Sequence, residues 1–368
     1  MSFHKMKKTS TISIHSVQIQ KHLLDWYNKY KRDLPWRRTQ DPYAIFISEM
    51  MLQQTQVKTV IPYYGRFLSE LPDWQSLARA KEEKVLKLWE GLGYYRRARN
   101  LQAAAKKIIE EFNGHLPQTR EEILKLPGVG QYSAGAVLSI AFQKPEPLVD
   151  GNVIRVFSRL FVLRGNLKTG ENHQNIWEIA RSLIPSKRPG DFNQALMELG
   201  ATLCLSDNPQ CLLCPLFQFC EAAQRGIQTD LPEMPKAAKN IEVPIAALLV
   251  ENKKKILVKK RDETEKWLKG LWEFPSAEGK TMDEARQKLE KEYNVSAEKK
   301  ACKSIKHQIT NHKIHLNLFI AAGKKTIKTT THLKWVIPSE LEDLPFSSAQ
   351  GKLRQWVLKN FLPKNNSK

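Results

Sequence analysis

Three groups of residues in this chain have the types and spacings that chemistry needs. Cys204, Cys211, Cys214 and Cys220 fall within 17 positions as Cys-x6-Cys-x2-Cys-x5-Cys. Four thiols so placed can hold tetrahedral zinc or an iron–sulfur cluster, and thiolate softness alone does not choose between them. Glu49 stands inside an apolar run, Phe46-Ile47-Ser48-Glu49-Met50-Met51-Leu52. Its carboxyl lies either on a solvent face, the commoner fate of Glu, or buried for a purpose. Asp150 closes the stretch that begins Leu126-Pro127-Gly128-Val129-Gly130. Pro127, Gly128 and Gly130 make a tight turn between two helices, and the bare glycines let backbone N–H groups approach a phosphate beside the next helix N-terminus. Asp150 is either that clamp's partnered carboxylate or an N-cap, the two readings weighing equally.

The elements that position these groups follow from hydrophobic spacing. Val17, Leu23, Leu24, Trp26, Tyr27 and Tyr30 recur at helical intervals, and Pro35 ends that helix. Asp41-Pro42 opens the helix bearing Glu49. Residues 56–90 read as two helices around a loop at 71–74. Gly91 and Gly93 then make a turn from which Leu92 and Tyr94 stand out, with Arg96, Arg97 and Arg99 behind. Two more helices cover 173–203. From Val243 the pattern turns to alternating strands, with helices at 282–293 and 347–360 and a hairpin at Thr310-Asn311. The expected division is a flexible tail (1–16), a helical domain (17–225) including the 204–220 cysteine loop, a Gly- and Pro-bearing linker (226–240), and an α+β domain (241–364).

Composition limits the partners. Lys and Arg number 59 against 38 Asp and Glu, a net +21, with 41% apolar residues. The positive excess is shared by both halves, which favours a polyanion spanning both. No apolar run is long enough for a membrane span, and the first residues lack the apolar core of a signal peptide. With cysteines clustered rather than spread, we expect a cytoplasmic protein with a metal site instead of disulfides. Cys302 is expected to be a plain thiol.

From about residue 17 to 360 the chain resembles the helix-hairpin-helix DNA glycosylases, and within them the adenine glycosylases of the MutY type. The resemblance is carried by Leu34-Pro35-Trp36-Arg37, Ser48-Glu49-x-Met51-Leu52-Gln53-Gln54-Thr55, Gly91-Leu92-Gly93-Tyr94-Tyr95, the Gly128–Gly130 hairpin with Asp150, and the four cysteines. It implies an all-α glycosylase domain with a [4Fe–4S] cluster on Cys204, Cys211, Cys214 and Cys220, followed by a Nudix-like α+β domain. It further implies Glu49 as general acid, Asp150 as the carboxylate under the sugar, and Asn152 as the orienter of Asp150 or of a water. Trp36, Arg37 and Gln194 would line the pocket of an extruded base. Gln54, Thr55, Leu92 and Tyr94 would enter the duplex, with Gly128 and Gly130 on the backbone. Tyr132 stands where endonuclease III carries its Schiff-base lysine, which implies a monofunctional enzyme.

Trp267–Pro275 resembles the opening of the Nudix-like domain. Its later helix reads Gln287-Lys288-Leu289-Glu290-Lys291-Glu292 where Nudix hydrolases carry metal-binding glutamates, so this domain is expected to bind and not to hydrolyse. Ile309-Thr310-Asn311 occupies the lesion-reading hairpin with only the hydroxyl of Thr310 kept, and Thr310 reads equally as a turn residue. The implied partner is double-stranded DNA with an adenine:8-oxoguanine mispair, bound by a monomer associated with the nucleoid. Rival readings are a bifunctional glycosylase/lyase, against which Tyr132 stands, and a non-enzymatic iron–sulfur protein that binds DNA, which would need neither Glu49 nor Asp150.

Overall fold

The computed structural model describes residues 3–233, 239–265, 267–323 and 327–361, with backbone alone for 3–14 and 361. Residues 234–238 of the expected linker and 362–364 of the expected C-terminal domain lie outside them. By internal contacts the chain forms two units, Met1–Arg79 with Asn100–Lys236, and Ala80–Arg99 with Ala237–Lys368.

The first unit is helical. Its opening helix runs Phe3–Tyr30, so residues 3–16, expected as a tail, continue the helix that apolar spacing detected only from Val17. Asp41 caps the next helix, Pro42–Leu52, by accepting the N–H groups of Tyr43 and Ala44. Pro42 suits the first helical position, where no N–H is needed. This helix is apolar on nearly all sides and is buried from Tyr43 to Met51. It packs against Val57–Glu70 and Gln131–Phe142, while Pro189–Thr202 packs on Gln131–Phe142, Gly151–Leu160 and the first helix. Beyond Val57–Glu70 come Trp74–Arg79 in this unit and Glu82–Leu88 in the second, so the stretch read as two helices holds three.

The second unit is an eight-stranded mixed sheet among its described residues. Ile241–Asn252 pairs in parallel with His312–Gly323, and Lys303–Ile309 pairs antiparallel with the latter. Thr310 and Asn311 form the expected tight connection, Thr310 in the left-handed region at φ 52°. Met282–Tyr293 packs on Ile241–Asn252, and Ser348–Phe361 packs on Lys303–Ile309, so apolar residues cover both sheet faces. Residues 80–99 lie in this unit, although sequence order put them in the helical domain.

Candidate active site

The site is built in the first unit from the Pro35–Arg37 turn, the Pro42–Leu52 and Pro189–Thr202 helices, and the N-terminal ends of Gln131–Phe142 and Gly151–Leu160. A cavity of about 160 Å³ is lined by Trp36, Arg37, Glu49, Tyr132, Asp150, Asn152 and Gln194, with Thr55 at its edge. Eight residues separated by as many as 158 positions thus share one space. Glu49 is buried, at 4% exposure, which decides against its solvent-face reading. The Tyr132 hydroxyl donates to Glu49 Oε2 at 3.0 Å and also lies 3.3 Å from Met197 Sδ. Burial pushes the Glu49 carboxyl up to about 7; the Tyr132 hydrogen bond and Arg37 oppose this, and the charge of Asp150 adds to it. Burial also raises the phenol of Tyr132.

Asp150 caps a helix and also lines the cavity. It is the N-cap of Gly151–Leu160, with Oδ1 accepting the Val153 N–H at 2.7 Å. Its other oxygen accepts from Asn152 Nδ2 at 2.9 Å, and the carboxyl lines the cavity. Burial raises the Asp150 pKa, while the Val153 N–H and Asn152 stabilise its charged form. Asn152 is in turn held by Arg155, whose Nη2 donates to Asn152 Oδ1 at 2.9 Å and to Gly200 O at 2.8 Å. A Cβ at Gly200 would fall 2.5 Å from the Asn152 Cβ, so the glycine lets the two helices meet at this point.

Sequence reading missed the ion-pair floor of this cavity. Glu198 is 1% exposed and accepts Arg32 Nε and Nη2, each at 2.8 Å, and Arg37 Nη2 at 2.8 Å. Burial pulls the Glu198 pKa up, but the hydrogen bonds of the two arginines overcome it and hold it at about 2. The available signal was spacing, since Glu198 lies four residues after Gln194 on the same helix. Arg155 gave no comparable signal, because its partners are backbone carbonyls and Asn152.

The hairpin is a left-handed turn at Gly128, φ 80°, where a Cβ would meet Asn100 at 2.7 Å and Met50 at 2.9 Å. Gly130 caps the Gln131–Phe142 helix with open space around it, leaving its N-terminal N–H groups accessible.

Several residues expected at a DNA surface lie outside the cavity. Gln54 is exposed just past the Glu49 helix, at φ 56°. Tyr94 stands out at 47% exposure. Leu92 does not: it is 5% exposed, because the positive φ of Gly91 and the bond from its own N–H to Trp89 O turn it inward. Of the arginines behind, Arg96 is exposed, whereas Arg97 is buried against the turn's carbonyls and Arg99 is tied to Glu82 and Glu263. Thr310 is exposed, and its hydroxyl donates to Ile309 O at 2.7 Å, a bond that the turn itself supplies.

The four cysteines line one apolar cavity with Val156, Leu199 and Leu216. Burial raises the thiols of Cys211, Cys214 and Cys220, that of Cys214 to about 12, so a thiolate form there calls for positive charge. Arg159 binds the carbonyls of Leu205, Ser206 and Leu231, and lies 3.4 Å from Cys204 Sγ. The donor set and the apolar space around it fit a multinuclear cluster. Cys302 donates to Leu318 O at 3.3 Å, as an ordinary thiol would.

A helical hairpin beside a carboxylate-lined cavity is joined in one chain to a mixed-sheet unit. Residues 47–182 match the HhH-GPD superfamily base excision DNA repair proteins, and residues 245–356 match the NUDIX domain. The adenine DNA glycosylase of Schizosaccharomyces pombe is 31% identical over 93% of this chain and 89% of its own length, and that of Buchnera aphidicola from Acyrthosiphon pisum is 36% identical over 80% and 84%. The chain belongs to the adenine DNA glycosylase family. The rat adenine DNA glycosylase is 47% identical over 59% of this chain, but only 44% of the rat protein is spanned. Among solved structures, a thermostable thymine-DNA glycosylase is 32% identical with TM-score 0.53, covering 57% of this chain and 97% of that one. A trapped endonuclease III–DNA covalent intermediate shares the fold at 24% identity and TM-score 0.50, over 58% of this chain and 98% of that one.

Proposed function

We propose that this chain hydrolyses the N-glycosidic bond of adenine in duplex DNA, and that its substrate is adenine opposite 8-oxoguanine or guanine. The observation that carries this reading is a buried carboxyl of pKa about 7, Glu49, in the same small cavity as Asp150. Adenine is a poor anionic leaving group. Protonation of its N7 makes it a neutral one, and an acid near neutrality both holds and gives a proton at working pH. The bond lies inside the duplex, so the nucleotide must leave the stack and enter the cavity. There Trp36 offers an apolar wall, Gln194 an amide, and Arg37 a guanidinium fixed by Glu198.

As the base departs, the sugar gains positive charge. Asp150, ionised with the help of the Val153 N–H and Asn152, balances it. Tyr132 holds the Glu49 carboxyl by its hydroxyl. A phenol cannot form an imine with the opened sugar, so base release proceeds without strand cleavage. The backbone on either side is gripped at Gly128–Gly130. Lesion reading would fall to Gln54, Thr55, Leu92, Tyr94 and Thr310, Leu92 only if its turn opens.

Cys204, Cys211, Cys214 and Cys220 would hold a [4Fe–4S] cluster, which when bound cross-links their loop through four iron–thiolate bonds. We assign the working form as a monomer on DNA.

The test is incubation with an adenine:8-oxoguanine duplex, followed by hot alkali. Cleavage at the adenine position only after alkali supports the reading. Cleavage without alkali would make the protein a lyase, and no cleavage on any adenine mispair would leave a binding protein.

A further inference from the structure

The turn Gly91–Tyr94 is fastened on both flanks to the unit that carries the sheet. Before it, Glu90 Oε1 lies 2.8 Å from Arg354 Nη2. Arg354 is 9% exposed, donates to Leu341 O at 3.2 Å and Leu344 O at 3.0 Å, and sits over the Phe346 ring at 5.2 Å. After the turn, the Tyr95 hydroxyl donates to Phe346 O at 2.9 Å and accepts the Gly91 N–H at 3.2 Å. One oxygen therefore ties the first residue of the turn to the carbonyl of Phe346, 251 positions beyond Tyr95. Inside the turn, Arg97 donates to Leu92 O and Gly93 O, with its guanidinium over both the Trp89 and Tyr94 rings. Tyr94 is left at φ 48°, half exposed beside the buried Tyr95.

This is more structure than a surface turn requires. A poorly exposed ion pair such as Glu90–Arg354 adds little stability, because desolvation offsets its attraction, and its use lies in fixing geometry. A tyrosine in the left-handed region also persists only where its surroundings hold it.

We infer that Glu90, Tyr95 and Arg354 are positioning residues for Tyr94, setting through the sheet unit the angle at which its ring meets DNA. This rests on the proposed reading that Tyr94 enters the duplex. The unit that carries Thr310 thereby also sets the Tyr94 ring.

Tyr95→Phe in the full chain removes one oxygen, and Arg354→Lys keeps the charge but loses the fork. Two readouts are taken for each, with Tyr94→Ala alongside. The first is amide hydrogen exchange of residues 91–95 in the free protein. The second is fluorescence of 2-aminopurine placed beside an adenine:8-oxoguanine mispair. In both variants exchange at 91–95 should accelerate about tenfold, the scale of losing one buried hydrogen bond, while the Pro42–Leu52 helix exchanges as before. The fluorescence gain on binding should fall toward that of Tyr94→Ala. Unchanged exchange in both variants would overturn the inference. So would a normal fluorescence gain in both, if Tyr94→Ala abolishes it, because Tyr94 would then act without this support. A normal gain in Tyr94→Ala itself would instead defeat the reading that Tyr94 meets DNA, and the inference with it.

Discussion

Folding disfavours the ionised form of Glu49. Its folded pKa is raised from 4.5 to about 7, so the folded state prefers the proton. The associated stability is complete below the unfolded value and is lost as pH rises from about 4.5 to 7. At 1.36 kcal/mol per unit, the ionised carboxylate costs about 3 kcal/mol above pH 7. Glu49→Gln should therefore be more stable than the parent at pH 8, by up to that amount, and equal to it at pH 4. Denaturant melts at the two pH values check this, and a Gln variant less stable at pH 8 would show that the carboxylate is well accommodated. Asp150→Asn is the complementary case. Asparagine caps a helix as well as aspartate does, so the fold should survive, while loss of negative charge under the sugar should slow excision by roughly 10²–10³-fold. Single-turnover rates and a melting curve on the same sample separate the two roles. Neither role was decidable from sequence. Glu49 sits on a helix apolar on nearly every side, which leaves no polar face to assign it to, and Asp150 both caps and lines the cavity.

At the level of elements, the site depends on places where backbones approach. Gly128→Ala would force a positive φ on a side chain and drive a Cβ into Asn100 and Met50. The expected outcome is weaker binding to any duplex, sequence-independent, with single-turnover excision at saturating protein less affected. Titrating binding to an undamaged duplex measures it, and unchanged affinity would take the hairpin out of the interface. Helix boundaries were legible where a cap or a proline marks them: Asp41-Pro42 opens its helix as read, and the hairpin at Thr310-Asn311 forms where strand alternation breaks. Leu92 was misread because a glycine-flanked turn says that a residue can stand out, not that it does. Its direction is set by Trp89, Arg97 and Tyr95, whose roles come from three-dimensional contacts. Glu198 was missed for the same reason, since its arginine partners lie 161 and 166 positions away.

For the whole molecule, a net charge of +21 predicts salt-sensitive DNA binding. If six phosphates are neutralised, affinity should drop roughly 10³-fold between 50 and 200 mM salt. A flat salt response would mean that the charge serves something else. The cysteine loop reaches Asp150 by three hydrogen bonds: Cys204 O to Arg155, Arg155 to Asn152, and Asn152 to Asp150. Cys204→Ser should accordingly lower iron content and excision together, read by iron assay and single-turnover rate, and full activity in an iron-free sample would break the link. The two-part fold was legible because helical and alternating patterns meet near a linker that bears Gly226, Pro232 and Pro235. The membership of residues 80–99 in the second unit was not, since order along the chain says nothing of which distant surface a helix joins.

In the proposed reaction, Glu49 delivers the proton that frees adenine. The most direct measurement is the single-turnover rate of adenine release against pH, for the parent and Glu49→Gln, at saturating protein. The parent rate should fall about tenfold per pH unit above about 7, as Glu49 ionises. Glu49→Gln should be slow and insensitive to pH across that range. A parent rate that stays level to pH 9, or a Gln variant that keeps the parent's profile, would contradict it.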